Sequence, residues 1–445
     1  MRAAGWRFGW RRPDLAAALG AATAGHLVLA YGLPREQFFA LAVVWLSLFA
    51  LYLFLIKNIA ALSITQWLAV AMLFRLFYAA SVPALSDDFN RFLWDGHVWH
   101  NGINPYALRP VEVAQRGMAV QAPLPELLHA MNSPEYYSVY PPLLQGVFRV
   151  AAAGGGDVFG GVLVLRLFLL VAEAGTLLML PGLLRRLGRQ PAEAMWYGLN
   201  PLVITELTGN LHMEGIMIFF LVLGMRLLLS GPLPAAAASW AAAASAKLLP
   251  LMFLLFLPRR LGRRFIPFAA VTLALFGLMF VPFADRSAWD HLSQSLQLYF
   301  RSFEFNGSIY RLLRWIGEHV YGYNPIQVLG PVLGTVAAGS IIFLAIREQR
   351  PTLERLPMMM LASLSIYFFL SPVVHPWYLS TLVLLSPLTG LRFPVVWSAL
   401  AVASYAAYRK VPYEEVSWLL AVEYGVVFAF LLYEAVRVRR SPSAA

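Results

Sequence analysis

Two adjacent carboxylates, Asp87 and Asp88, open the stretch S-D-D-F-N-R-F-L-W-D-G-H-V-W-H-N-G-I-N-P-Y (Ser86 to Tyr106), the most polar segment of a largely apolar chain. A third acid, Asp95, and the bases Arg91, His97 and His100 share it. Carboxylates at a membrane boundary act as an acid or base, hold a cation, or complete a salt bridge. A solvated loop is the plainer reading. Against it, the ionisable groups alternate with Phe89, Phe92, Trp94 and Trp99 at the spacing of an amphipathic helix lying in the interface, anchoring that a linker does not need. Vicinal carboxylates repel, so one of the two has a raised pKa or the pair binds a divalent cation, and both readings stand.

Three further stretches carry polar groups between apolar runs: His212 and Glu214 in T-G-N-L-H-M-E-G, Glu304 and Asn306 in F-E-F-N-G-S, and His375, Trp377 and Tyr378 in S-P-V-V-H-P-W-Y-L. Each has a structural explanation when taken alone. Glu214 suits a helix N-terminus, Asn-Gly suits a turn, and Trp with Tyr suits interfacial anchoring. Convergence on one water interface is what a site requires. Lys247 follows an alanine-rich stretch and has no acid nearby in sequence, so it needs an anionic partner, either a phosphate or an acid from a distant helix. Arg75 and Arg166 sit in the outer portions of their apolar runs. Arg166 and Glu173, seven residues apart on one helical face, read as an ion pair.

The elements that must position these groups are membrane helices. With 60% apolar and 13% charged residues, the chain reads as an all-α polytopic membrane protein and not as a soluble one. Having no cysteine, it has no disulfide, thiolate metal site or catalytic thiol. The net charge of +11 falls in short clusters between apolar runs rather than in a basic stripe, which reports orientation and excludes a nucleic-acid partner. Counting roughly 20 apolar residues per span gives about 12 transmembrane helices, near 14–32, 37–56, 60–80, 158–181, 192–209, 212–230, 264–283, 325–346, 356–372, 376–391, 393–408 and 414–436.

The first run continues to Leu33, past any small-residue cleavage site, so a retained span is expected after Arg2, Arg7, Arg11 and Arg12. The positive-inside rule then makes Pro141 to Ala153 a helix that dips in without crossing. It also makes 234–258 a re-entrant segment broken around Lys247-Leu248-Leu249-Pro250, with Arg259, Arg260, Arg263 and Arg264 kept inside. More than half of the Lys and Arg residues fall on inner segments in this scheme, and both termini are cytoplasmic. The chain reads as one domain, 1–445. A long external loop over 81–157 carries the acids, and a second external loop covers 284–324.

Taken in order, S-D-D-x-x-R-x-x-W-D-G with G-I-N-P-Y, Y-P-P-L at Tyr140 to Leu143, N-P-L at Asn200 to Leu202, K-L-L-P at Lys247 to Pro250, E-F-N-G-S and H-P-W-Y-L make the chain resemble the bacterial polyprenol-phosphate-mannose-dependent mannosyltransferases. These belong to the GT-C glycosyltransferase superfamily, near glycosyltransferase family 87, and the resemblance runs from residue 60 onward. It implies a GT-C-like bundle in the plasma membrane that acts on the extracytoplasmic side. Its partners would be a polyprenyl-phosphate-linked sugar donor, a glycan, glycolipid or other hydroxyl acceptor, and the lipid bilayer.

Carried over to these positions, the resemblance makes Asp88 the general base, because Arg91 follows it by three, with Asp87 its neighbour. It assigns Lys247, His375 and Arg91 to the donor phosphate. His212, Glu214, Glu304, Asn306, Trp377, Tyr378, Asp95, Asn104 and Tyr140 go to sugar and acceptor. Many relatives have His-Leu-Asp where His212-Met213-Glu214 stands, which leaves sugar specificity open. No cofactor is implied beyond the divalent cation that Asp87 and Asp88 would hold. The chemistry is self-consistent, because a lipid-phosphate donor carries its own leaving group and needs no phosphate-cradling glycine loop, of which none is visible. The rival from another class is a secondary transporter whose pathway Arg75, Arg166, Glu173 and Lys247 would line, although the halves show no internal repeat.

Overall fold

A computed structural model describes residues 12–118, 123–410 and 412–440. Arg2, Arg7 and Arg11 lie outside them. The protein is 77% helix with no strand among the described residues, and one isolated bridge joins Phe305 to Val373.

Six helices are long and apolar enough to cross a membrane: Pro13–Tyr31, Phe38–Lys57, Val158–Arg186, Pro258–Phe283, Ile326–Arg347 and Ser417–Arg437. Their outward faces expose large apolar side chains, as Leu167, Val171 and Leu178 do on Val158–Arg186, a surface that suits lipid and not water. This is a multi-pass membrane protein. A seventh span is available if Pro201–Gly209 and Glu214–Ser230, bent by 115° at their junction, count as one. The other expected spans fall on shorter pieces, among them Ile64–Leu76, Leu356–Leu370 and Leu379–Thr389. Helix length therefore supports six or seven crossings. The difference from twelve arises where apolar runs are cut by prolines and polar breaks.

The segment that carries the acids is more deeply packed than an interfacial helix. Asp88–His100 buries nine of its residues, Phe89 through Gly96 and Val98, against Pro142–Gly155, which lies in turn on Val158–Arg186. Gly96 permits this approach, since a Cβ there would come within 2.1 Å of the Phe148 carbonyl oxygen. Phe92 then stacks on Phe148 with centroids 4.8 Å apart.

Two buried cations hold the spans together, and their pairing corrects the expected Arg166–Glu173 bridge. Seven residues of helix separate those side chains by about 10 Å, so each is satisfied across helices. Glu173 pairs with Arg75 at 2.8 Å, both side chains fully buried, and accepts from the Tyr197 hydroxyl at 2.6 Å. Arg75 also donates to the carbonyls of Ala71 and Gly198. Arg166 donates to the carbonyls of Thr208, Gly209 and Ala79.

Candidate active site

Asp87 caps the Asp88–His100 helix without using its side chain for the cap, so both carboxylates are free for other partners. Those partners differ. Asp87 accepts from Arg35 at 3.1 Å and from the Asn132 amide at 2.6 Å, and Arg35 lies 4.3 Å over the Tyr408 ring. Asp88 receives only the weaker branch of the Asn132 amide, at 3.3 Å, among the bonds described. Its pKa is pushed above the ordinary carboxylate range, chiefly by burial. His212 and the Asn132 bond oppose the rise, while Asp87 and Glu214 add to it. Asp87 is thus held by a cation, and Asp88 is left basic beside His212 and Glu214. Among the described residues no group of three or more His, Asp or Glu is arranged to hold a metal ion. The oxygens expected to bind a cation meet Arg35 and Asn132 instead.

His212 and Glu214 reach Asp88 through a broken helix. Residues Ile204–Gly209 wind as a π-helix, a local distortion common at functional sites. Leu211 follows with φ at +63°, in the left-handed region. Arg166 satisfies two of the carbonyls at this break, which water cannot do inside a membrane. Glu206, fully buried, accepts from Asn210 at 3.1 Å and from Tyr405, and lies 3.3 Å from His212 Nε2.

The aromatic residues of H-P-W-Y-L form a column. His212 stacks on Trp377 at 3.6 Å, Trp377 on His375 at 4.3 Å, and His375 on Phe305 at 4.7 Å. Both faces of Trp377 are covered, so the indole positions two imidazoles and presents no open face to a sugar ring. Phe305 is brought to the column by backbone bonds from Phe305 N–H to Pro372 and from Val374 N–H to Phe305. His375 keeps a buried ring nitrogen, Nδ1, with no hydrogen-bond partner among the described residues. Its pKa is pushed down to about 3, by burial first and then by His212 and Lys247. The imidazole is therefore neutral and offers a hydrogen bond rather than a charge.

Lys247 begins where the Leu233–Ala246 helix ends and the backbone turns extended. Its ammonium pairs with Glu214 and lies 3.8 Å over the Tyr378 ring. The acid from a distant helix is thus present. His212, Glu214, Lys247, His375, Trp377 and Tyr378 are joined by ring contacts and by the lysine, and Asp88 feels the charges of His212 and Glu214.

The other expected site residues are engaged elsewhere. Arg91, assigned to the phosphate, is buried, bonding Asp95 at 2.8 Å and the carbonyls of Ser133 and Tyr136. Asp95, in turn, accepts from Ser138 and Gln145. Asn104 bonds the Phe283 carbonyl and the Tyr106 amide, and Tyr140 packs on Phe92 and Phe148. Glu304 is held by Arg314 and Asn324. Asn306, with φ at +52°, bonds Glu423 at 3.2 Å, and its N–H meets Glu415. These six tie down the loops.

Arg35, Asn132, Glu206, Phe305 and Tyr408 were not singled out from the sequence. Only Glu206 gave a signal there, an acid inside the otherwise apolar run from Pro201.

Residues 1–261 match the family model described as alpha-(1->6)-mannopyranosyltransferase, N-terminal domain. This stretch contains Arg35, Asp87, Asp88, Asn132, His212, Glu214 and Lys247. The chain is similar to alpha-(1->6)-mannopyranosyltransferase A of Mycobacterium tuberculosis, 30% identical over 166 residues, covering 37% of this chain and 30% of the relative. It is similar also to alpha-(1->6)-mannopyranosyltransferases A and B of Corynebacterium glutamicum. Form A is 28% identical over 191 residues, 42% of this chain and 37% of the relative; form B is 29% identical over 167 residues, 37% and 26%. The chain thus matches only about a third of the length of these curated relatives. The family match spans more than half of the chain, and with it the chain belongs to the alpha-(1->6)-mannopyranosyltransferase family.

Proposed function

We propose that the protein is an integral membrane glycosyltransferase that moves a sugar, mannose by analogy with its family, from a polyprenyl-phosphate donor to a hydroxyl of a glycan or glycolipid. In this reading the acceptor oxygen attacks the anomeric carbon with inversion. Its proton passes to Asp88, and the bond from that carbon to the phosphate oxygen breaks, so that polyprenyl phosphate leaves with the electron pair. Lys247 supplies the cation for the phosphate, and the neutral His375 donates a hydrogen bond to it. Glu214, released from Lys247, accepts from sugar hydroxyls.

The observation that carries the reading is the unequal treatment of the two vicinal acids. Arg35 neutralises Asp87, while burial keeps Asp88 basic within electrostatic range of Glu214, which holds Lys247. The extracytoplasmic setting, cytoplasmic termini and twelve-span topology belong to the same proposal; the sidedness rests on the distribution of Lys and Arg and the span count on the apolar runs.

The experiment is incubation of the purified chain with a panel of polyprenyl-phosphate sugars and a mannoside acceptor, monitoring glycosylated product and free polyprenyl phosphate. Stoichiometric appearance of both is expected from the mannosyl donor. A transporter reading draws support from the helix broken by 115° at the polar cluster. Uptake of sugar into proteoliposomes without release of lipid phosphate would favour it.

A further inference from the structure

A cavity of about 840 Å³ opens between the Ile326–Arg347 and Leu356–Leu370 helices, away from the carboxylates. Its walls are apolar, with Val336, Phe343, Leu344, Met359 and Ile366 among them, and Arg347 and Arg355 stand at its mouth. Gly339 widens it, since a Cβ added there would meet nothing within 4 Å.

The mouth carries positive charge without a matching acid. Glu348 is nearest in sequence, but Arg260 takes its carboxylate and Arg259 its carbonyl. Arg347 lies 5.7 Å over Phe343, and Arg355 donates to the Gln349 carbonyl at 3.3 Å. Neither has a carboxylate within salt-bridge distance among the described residues. From Arg355 to Ile366 the helix rises about 16 Å, half the hydrocarbon thickness of a bilayer and so the depth of one leaflet.

The Leu356–Leu370 helix also fixes the leaflet. It starts at the mouth and ends, about 22 Å away by helical rise, at the segment that leads into His375. A headgroup at Arg347 and Arg355 therefore sits in the leaflet opposite the Asp88 cluster, and its owner is not the donor consumed there. The same two arginines lie in a segment that the positive-inside rule assigns to the cytoplasmic side, the leaflet that holds anionic lipids.

We propose that this groove is a binding site for an anionic glycerophospholipid, with its phosphate between Arg347 and Arg355 and an acyl chain along Val336, Gly339 and Ile366. The proposal is independent of the transfer reaction.

The full-length protein, purified in detergent, is incubated with phosphatidylglycerol or with phosphatidylcholine of the same chains, and bound lipid is counted by native mass spectrometry. Wild type is expected to retain phosphatidylglycerol preferentially. Arg347→Gln should cut that preference about fivefold, and Arg347→Gln with Arg355→Gln about thirtyfold. Gly339→Leu should lower retention of both lipids while leaving their ratio unchanged. All three changes lie on exposed or open positions, and an unaltered melting temperature establishes folding. Equal retention of the two lipids by wild type overturns the proposal. So does a preference that survives loss of both arginines, or a Gly339→Leu protein that holds lipid as wild type does.

Discussion

Asp87→Asn and Asp88→Asn should differ in activity by more than an order of magnitude, although the two acids are neighbours. Removing a general base typically costs a factor of about 10² to 10⁴, so Asp88→Asn should lower kcat at least about a hundredfold, roughly 2.7 kcal/mol of barrier. Asp87→Asn loses its charge against Arg35 at 3.1 Å, with side chains 22% and 26% exposed. Such a pair carries about 5 kcal/mol of Coulomb energy at an effective dielectric near 20. Solvent screening and the entropy of holding the pair reduce that to about 1 kcal/mol, or about fivefold. Asparagine at 87 also keeps an oxygen that can accept from Arg35 and Asn132.

Melting temperature separates lost chemistry from lost folding. The folded-state pKa of Asp88 is raised, so the folded protein binds its proton more tightly than the unfolded chain. Stability then falls as pH rises from the ordinary carboxylate range, near 3.9, through that raised value. At neutral pH Asp88→Asn removes this penalty and should melt no lower than wild type. The assay is initial-rate transfer from a labelled polyprenyl-phosphate mannose over a range of donor concentrations. Equal loss in the two variants, or greater loss in Asp87→Asn, refutes the assignment of Asp88 as base.

The pH profile offers an independent check. Glu214→Gln removes a charge that raises the Asp88 pKa and should move the acid limb of kcat to lower pH, whereas Asn132→Ala removes a bond that lowers it and should move the limb upward; shifts in one direction would sink this account. Phe305→Leu removes the outer ring of the column, and at about 0.5–1.5 kcal/mol for an aromatic pair should lower kcat/KM three- to tenfold with little change in melting. Glu304→Gln, one residue away, should instead lower the melting temperature by loosening Arg314 and Asn324. Arg75→Met strands the buried Glu173 and should cost about 3–5 kcal/mol of stability, read as a lower melting temperature, with Arg75→Met/Glu173→Met recovering part of it.

The acids at 87 and 88, the H-P-W-Y turn and the lysine after the alanine run were legible because each is a local departure from an apolar pattern. Which polar residues build the loops and which stay available was not, because partners come from far along the chain. Asp95 meets Gln145, 50 residues on, and Asn306 meets Glu423, 117 residues on. A carboxylate that staples two loops and one that waits for a substrate look alike in sequence. Phe305 shows the same limit from the other side, since the polar residues flanking it drew attention while the ring itself completes the column. Span number stays open for a related reason. Hydropathy counts apolar residues and takes no account of where a helix is cut.

The cut at Asn210–Met213 shows why the polar interior and the site belong together. A helix broken inside a membrane exposes carbonyls that no water can reach, and here Arg166, the cation expected to pair with Glu173, covers two of them. Glu206 bonds Asn210 on the loop and lies beside His212, while Arg75 takes the carboxylate that Arg166 leaves free. The groups that read as a transport pathway are thereby the supports of a rigid break. That break turns His212 toward Trp377 and starts the next helix at Glu214, within reach of Lys247. A break held by buried charges at its base is poorly suited to the rocking of two halves past each other, and well suited to keeping Asp88, Lys247 and His375 in fixed relation, as the proposed transfer from a lipid-linked donor requires.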